Sequence, residues 1–194
     1  MLHLRSLAIF AALAWMQTAA ALEVGGIRFD DKIRLDAASA DLVANGGGFR
    51  TRFFIKVYAA VLYLPEKKSS AAEVLTLPGA KRMLLHVVRD GLSGKQMADA
   101  MTDALMNNLS ASEQQSLKAR VDEFRALMTA QPDSRSGTLV SLDYLPNTGT
   151  VLSVGGLPKG APIAGEDFYR GLLKIWLGEH PVEASLKKEL LGAR

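Results

Sequence analysis

Gly46-Gly-Gly-Phe-Arg-Thr-Arg-Phe-Phe-Ile-Lys-Val-Tyr-Ala-Ala-Val-Leu-Tyr-Leu64 is the stretch from which the fold of this chain is read. Three glycines open it, and they admit backbone angles and close approaches that other residues resist. A run rich in β-branched and aromatic residues follows as far as Pro65, and it spells a strand of unusual length. Strand alternation puts Ile55, Val57, Ala59, Val61 and Tyr63 on one face, a plain core face. Arg50, Arg52, Phe54, Lys56, Tyr58 and Leu62 fall on the other. Three cations and a phenol set among apolar residues describe a sheet face that meets water or lines a cavity with a polar anchor. In one straight strand Arg50 and Tyr58 would stand ~26 Å apart, so they meet only if the chain folds back or bends near Thr51-Arg52.

Upstream, residues 1–21 carry one basic residue (Arg5), an apolar run from Leu7 to Met16 and a small-residue ending at Ala19-Ala20-Ala21. That is the layout of a secretory signal peptide, with cleavage expected near Ala21–Leu22. The apolar run is too short to span a bilayer, and no other segment qualifies, so no stable membrane span is expected after cleavage. The chain has no Cys, so its export brings neither disulfides nor a lipid on cysteine. Residues 22–194 suffice for a single domain with a sizeable core. The net charge of +3 is too small an imbalance to imply a nucleic-acid partner.

Along that domain, Leu22–Phe29 and Lys32–Leu35 read as short strands, and Lys81–Val88 as a strand buried on both faces. Ser70 is placed to cap a helix over Ala71–Leu77. Ser93-Gly-Lys-Gln96 and Ser110-Ala-Ser-Glu113 are capping boxes, each ahead of a helical apolar stripe. Thr138–Leu145 and Thr150–Val154 form a hairpin, and helices follow at Glu166–Leu177 and Val182–Leu191. Strands grouped on either side of a helical pair indicate α+β: an antiparallel β-sheet with helices layered on one face.

Chemistry is sparse. His86 and His180 sit in unrelated contexts without Cys, so no metal site is expected. There is no Gly-x-Ser-x-Gly elbow and no phosphate-binding glycine motif, and Asp30-Asp31 reads as a turn. Arg120 and Arg125 read as a solvated helix face. Met83, Met97, Met101, Met106 and Met128 are soft side chains, suited to ordinary core filling or to an adaptable lipid pocket.

Several segments together resemble the chalcone isomerase-like domain family, most closely its exported bacterial branch. They are Gly46–Arg50, Lys56–Leu64, Leu92-Ser-Gly-Lys-Gln-Met97, the Pro146–Thr150 turn, Gly165-Glu-Asp-Phe-Tyr-Arg-Gly-Leu-Leu-Lys-Ile-Trp-Leu-Gly178 and Pro181 through Gly192. The resemblance runs in order over nearly all of residues 22–192. It implies an open-faced β-sandwich with a ligand cleft between sheet and helices, no cofactor, and a periplasmic location in a two-membrane bacterium. Plant chalcone isomerases of the family use an Arg, a strand Thr, a Tyr, an Asn and a late hydroxyl residue. Fatty-acid-binding relatives keep the Arg and the Tyr to hold a carboxylate.

Matched to these positions, the Arg is Arg50, the strand Thr falls at Tyr58, the Tyr at Met97 and the Asn near Ala104. No hydroxyl residue lies in Gly160–Ala164. The cation is kept and the donors that would steady developing charge on a carbonyl are lost, each worth about 2–4 kcal/mol in comparable sites. No catalytic residue is therefore assigned. The expectation is a non-catalytic protein binding a fatty-acid-like or other small amphipathic acid, with Arg50, Tyr58, Met97 and Met101 as ligand-binding residues. An isomerase or intramolecular lyase using Tyr58, and a structural or assembly protein of the cell envelope with a closed cleft, stay open. So does a structural ion pair of Arg50 with Asp167, Glu166 or Asp143.

Overall fold

The computed structural model describes residues 21–36 and 40–193, so the leader read from the first residues lies, Ala21 apart, outside the described residues. In chain order the elements are β1 (Ala21–Val24), β2 (Ile27–Asp30), β3 (Lys32–Ile33), β4 (Leu42–Arg52), β5 (Ile55–Leu64), α1 (Ala71–Thr76) and β6 (Lys81–Val87). There follow α2 (Gly94–Met106), α3 (Ala111–Thr129), β7 (Leu139–Leu145), β8 (Gly149–Val154), β9 (Leu157–Pro158), α4 (Glu166–Leu177) and α5 (Ala184–Leu190). Strands β3 to β9 form one antiparallel sheet in which spatial order equals chain order, and β1 and β2 make a separate hairpin. The class is the α+β arrangement read from the sequence.

The Gly46–Leu64 stretch is two strands rather than one. The chain reverses at Phe53 and Phe54, whose φ angles of 50° and 65° are both left-handed. Arg52 and Ile55 pair across this two-residue loop, the layout of a type I′ hairpin that Asn-Gly usually supplies. Left-handed backbone costs a residue with a Cβ about 1–2 kcal/mol, which is why no turn shows in this sequence. The reversal sits one residue beyond Thr51-Arg52, where a fold-back was required for Arg50 and Tyr58 to meet.

Both faces of β5 are buried. Tyr58, Ala60, Leu62 and Leu64 face the helices, in a core shared with Phe124 of α3, Phe168, Leu172 and Trp176 of α4, and Leu186 and Leu190 of α5. Ala59, Val61 and Tyr63 face the β1–β2 hairpin, packing with Val24 and Phe29. The glycines make this sandwich possible on β4. A Cβ on Gly46 would stand 2.1 Å from the Glu189 carbonyl oxygen, and one on Gly48 would stand 1.6 Å from Glu189 Oε2. A Cβ on Gly47, facing the other way, would lie 3.0 Å from Val24. Helix α5 and strand β1 therefore close on β4 from opposite sides. Asn45, at a register shift in β4, clasps the same region: its amide donates to the carbonyls of Lys68 (2.8 Å) and Leu190 (2.7 Å).

Both capping boxes form, at Ser93–Gln96 and Ser110–Glu113. Arg120 and Arg125 are more than a solvated face. Arg120 holds Asp167 of α4 through two bonds (2.6 and 2.7 Å), and Arg125 reaches Asp99 of α2 at 2.6 Å. Helix α3 lies beside both α2 and α4, so its flanks meet neighbours. Among the described residues no helix is long and apolar enough to cross a membrane.

Candidate functional site

Arg50 and Tyr58 are directly opposed in the β4–β5 register, so both side chains leave the sheet on the helix side. Their polar ends then part. Arg50 Nη1 donates to the Thr51 carbonyl and lies 3.4 Å from Glu183 Oε2, the residue just before α5. The same carboxylate oxygen accepts the Thr51 backbone N–H at 2.6 Å, and Glu183 Oε1 accepts Ser185 Oγ at 3.0 Å. Arg50 and Thr51 thus form a two-donor cradle for one carboxylate oxygen, and Glu183 fills it. Both members of the ion pair are about three-quarters buried.

The partners expected for Arg50 are engaged elsewhere. Asp167 binds Arg120, Glu166 lies 3.5 Å from Lys81 Nζ, and Asp143 takes Arg82 through two bonds of 2.6 Å. Nothing in the sequence singles out Glu183, which reaches Arg50 across 133 residues because α5 docks on β4.

The Tyr58 hydroxyl accepts the indole N–H of Trp176 at 3.0 Å, both residues being buried. Burial pushes the phenol up to about 12, against the smaller lowering by the Trp176 bond and by Arg50. Its proton is therefore held at physiological pH, and its oxygen accepts from Trp176 and not from Arg50. Met97 and Met101 lie on the inner face of α2, buried in the main core.

Space lies beside Arg50 in another direction. Strand β4 meets β3 only at Leu42 and Val43, so its outer edge beyond them has no strand partner among the described residues. Along that edge, between α5 and β1, runs an open cavity of about 1150 Å³. Gly46, Gly47 and Gly48 form its floor, Thr51, Lys56 and Glu183 line it at the Arg50 end, and Lys67 and Lys68 line it at the other. Arg50 itself does not line it and borders it only through Thr51 and Glu183, and Tyr58, Met97 and Met101 are not part of it. Glu189 also lines it, its carboxylate lying over Gly48 with no hydrogen bond or ion pair to a described residue. Burial, and then the charge of Glu183, raise the Glu189 carboxyl above the usual range. Among the described residues no group of three His, Cys, Asp or Glu is placed to hold a metal ion.

Comparison with known proteins agrees with this fold. A family profile described as chalcone isomerase-like matches residues 21–192. The crystal structure of a fatty-acid binding protein from Arabidopsis thaliana superposes with a TM-score of 0.66 at 15% sequence identity, covering 86% of this chain and 92% of that one. At that identity the likeness is one of fold. No curated protein matches the chain significantly. With the family profile spanning nearly every described residue, the chain belongs to the chalcone isomerase-like family.

Proposed function

We propose that this protein is an exported, non-catalytic carrier or sensor of a small amphipathic carboxylate, whose head is received by Arg50 and the Thr51 N–H. The observation that carries the reading is the cradle itself: a guanidinium and a backbone N–H converge on one carboxylate oxygen at the rim of an open cavity. A ligand carboxylate takes the place of Glu183, and Arg suits this exchange because its planar fork matches a carboxylate. The apolar tail has the β4 cavity open to it, with Val24, Phe49 and Leu191 along its walls. Met97 and Met101 receive the tail only if the layer between sheet and helices parts. The fatty-acid-binding structural neighbour supports the ligand class. Export to the periplasm, as in the exported bacterial branch, belongs to the same reading and rests on residues 1–21.

Native mass spectrometry of the purified protein tests it, wild type beside Arg50→Ala and Glu183→Gln. A co-purifying acid present in the wild type, retained or enriched in Glu183→Gln and lost in Arg50→Ala, is the expected result. A second reading, a structural partner in the cell envelope, is favoured by the Arg50–Glu183 pair and by the burial of Met97 and Met101. Empty protein in all three samples, even after incubation with saturated fatty acids, would decide for it.

A further inference from the structure

The large apolar side chains exposed among the described residues all lie at one end of the sheet. They are Phe53, Phe54, Ile55, Leu139 and Leu157. In an antiparallel meander the β4–β5 turn, the start of β7 and the start of β9 all belong to that end. Single exposed apolar residues such as Leu139 and Leu157 are ordinary, but Phe53, Phe54 and Ile55 are three in succession at one turn.

The hairpin tip goes further. Phe53 is 81% exposed and Phe54 fully so, and neither joins either core. Both also occupy left-handed turn positions where Asn or Gly would sit without penalty. The β4–β5 pairing needs a reversal here, but Asn or Gly would make it without strain, and neither ring adds to the packing of the chain. Cations share this end of the sheet. Arg52 and Lys56 are exposed beside the turn, with the Arg52 guanidinium 5.4 Å from the Phe53 ring and Lys56 Nζ 4.0 Å from the Phe49 ring. Exposed Arg89 joins them, its backbone N–H donating to the Val57 carbonyl. Acids also lie at this end: Glu183 is bound by Arg50 and Thr51, Asp90 accepts the Ser136 N–H, and exposed Asp133 stands next to Ser134, which bridges Leu92.

An apolar point flanked by exposed cations complements an anionic lipid surface, where the rings enter the acyl boundary and the cations meet headgroup phosphates. We propose that the β4–β5 tip docks this protein on anionic membranes, with Phe53 and Phe54 inserted and Arg52, Lys56 and Arg89 on the headgroups. The tip needs no ordering on contact, because the hairpin is already set. This docking does not depend on the ligand reading. It would also bring the cavity to the lipid surface at Thr51 and Lys56, which line its near end.

Flotation of the purified protein with phosphatidylcholine vesicles, with and without phosphatidylglycerol, tests the proposal. The wild type is expected to float with the anionic vesicles and to release as salt is raised. Phe53→Asn with Phe54→Gly removes the rings and suits the turn, so its thermal midpoint should not fall while vesicle affinity drops about tenfold or more. Arg52→Gln with Lys56→Gln should weaken binding and flatten its salt dependence. A wild type that floats with neither vesicle, or an Asn-Gly variant that floats as well as the wild type, would overturn it. A concentration-dependent dimer abolished by the Asn-Gly change, in protein that does not float, would assign the tip to a second copy and overturn it too.

Discussion

Arg50 and Tyr58 face each other across the β4–β5 pair, yet the guanidinium turns to Glu183 of the α5 segment while the phenol turns inward to Trp176 of α4. The polar groups of one cross-strand pair thus serve two different helices. Tyr58 is then a structural acceptor in the core. Tyr58→Phe leaves the Trp176 indole N–H buried without its partner and should cost about 1–3 kcal/mol in urea denaturation. A shift in tryptophan emission should accompany it, and a variant as stable as the wild type would show that the bond contributes nothing.

Glu183 competes with any carboxylate ligand. Glu183→Gln keeps an oxygen for the Thr51 N–H and removes the competing charge; with the Arg50 contact long at 3.4 Å and a quarter of each side chain still in water, its stability cost should stay near ~1 kcal/mol. Affinity for a saturated fatty acid, followed by isothermal titration calorimetry, should rise about tenfold, while Arg50→Ala should lose measurable binding. Equal affinity in wild type and Glu183→Gln would mean that the acid binds elsewhere.

The glycine strip makes a graded prediction. Gly46 faces fixed backbone at Glu189, whereas Gly48 faces the movable end of the Glu189 side chain. Gly46→Ala should therefore destabilise by about 3 kcal/mol or more, and Gly48→Ala by clearly less. Thermal melts of the two variants measure the difference, and a reversed order would contradict the seating of α5 on β4.

Glu189 gives the protein a pH dependence of known sign. Burial and the charge of Glu183 raise its folded value, so the folded state binds that proton more tightly than the unfolded chain does. The resulting stabilisation is complete below the unfolded carboxyl value and is lost as pH rises through the folded one. Glu189→Gln should thus raise the melting temperature near pH 7 and leave it little changed near pH 4. An equal gain at both pH values would point to packing rather than charge.

Much of this architecture is written locally. Ser93 with Gln96 and Ser110 with Glu113 announce α2 and α3, because a capping box needs only residues three apart. The α4 segment carries its inward stripe of Phe168, Leu172, Ile175 and Trp176 in plain helical spacing, and alternation along β5 sorts Tyr58 and Leu62 from Ala59, Val61 and Tyr63. The order of motifs about these elements already matched the family. What tertiary structure alone decided lies where local preference was overruled or distance was long. Phe53-Phe54 reverses the chain although neither residue favours left-handed backbone, because pairing β4 with β5 and burying both faces of β5 outweigh the strain. Glu183, not Asp167, Glu166 or Asp143, answers Arg50, because Gly46 and Gly48 let α5 lie against β4 and bring together residues 133 positions apart. Charge pairing of that kind depends on which surfaces meet, and no spacing along the chain encodes it.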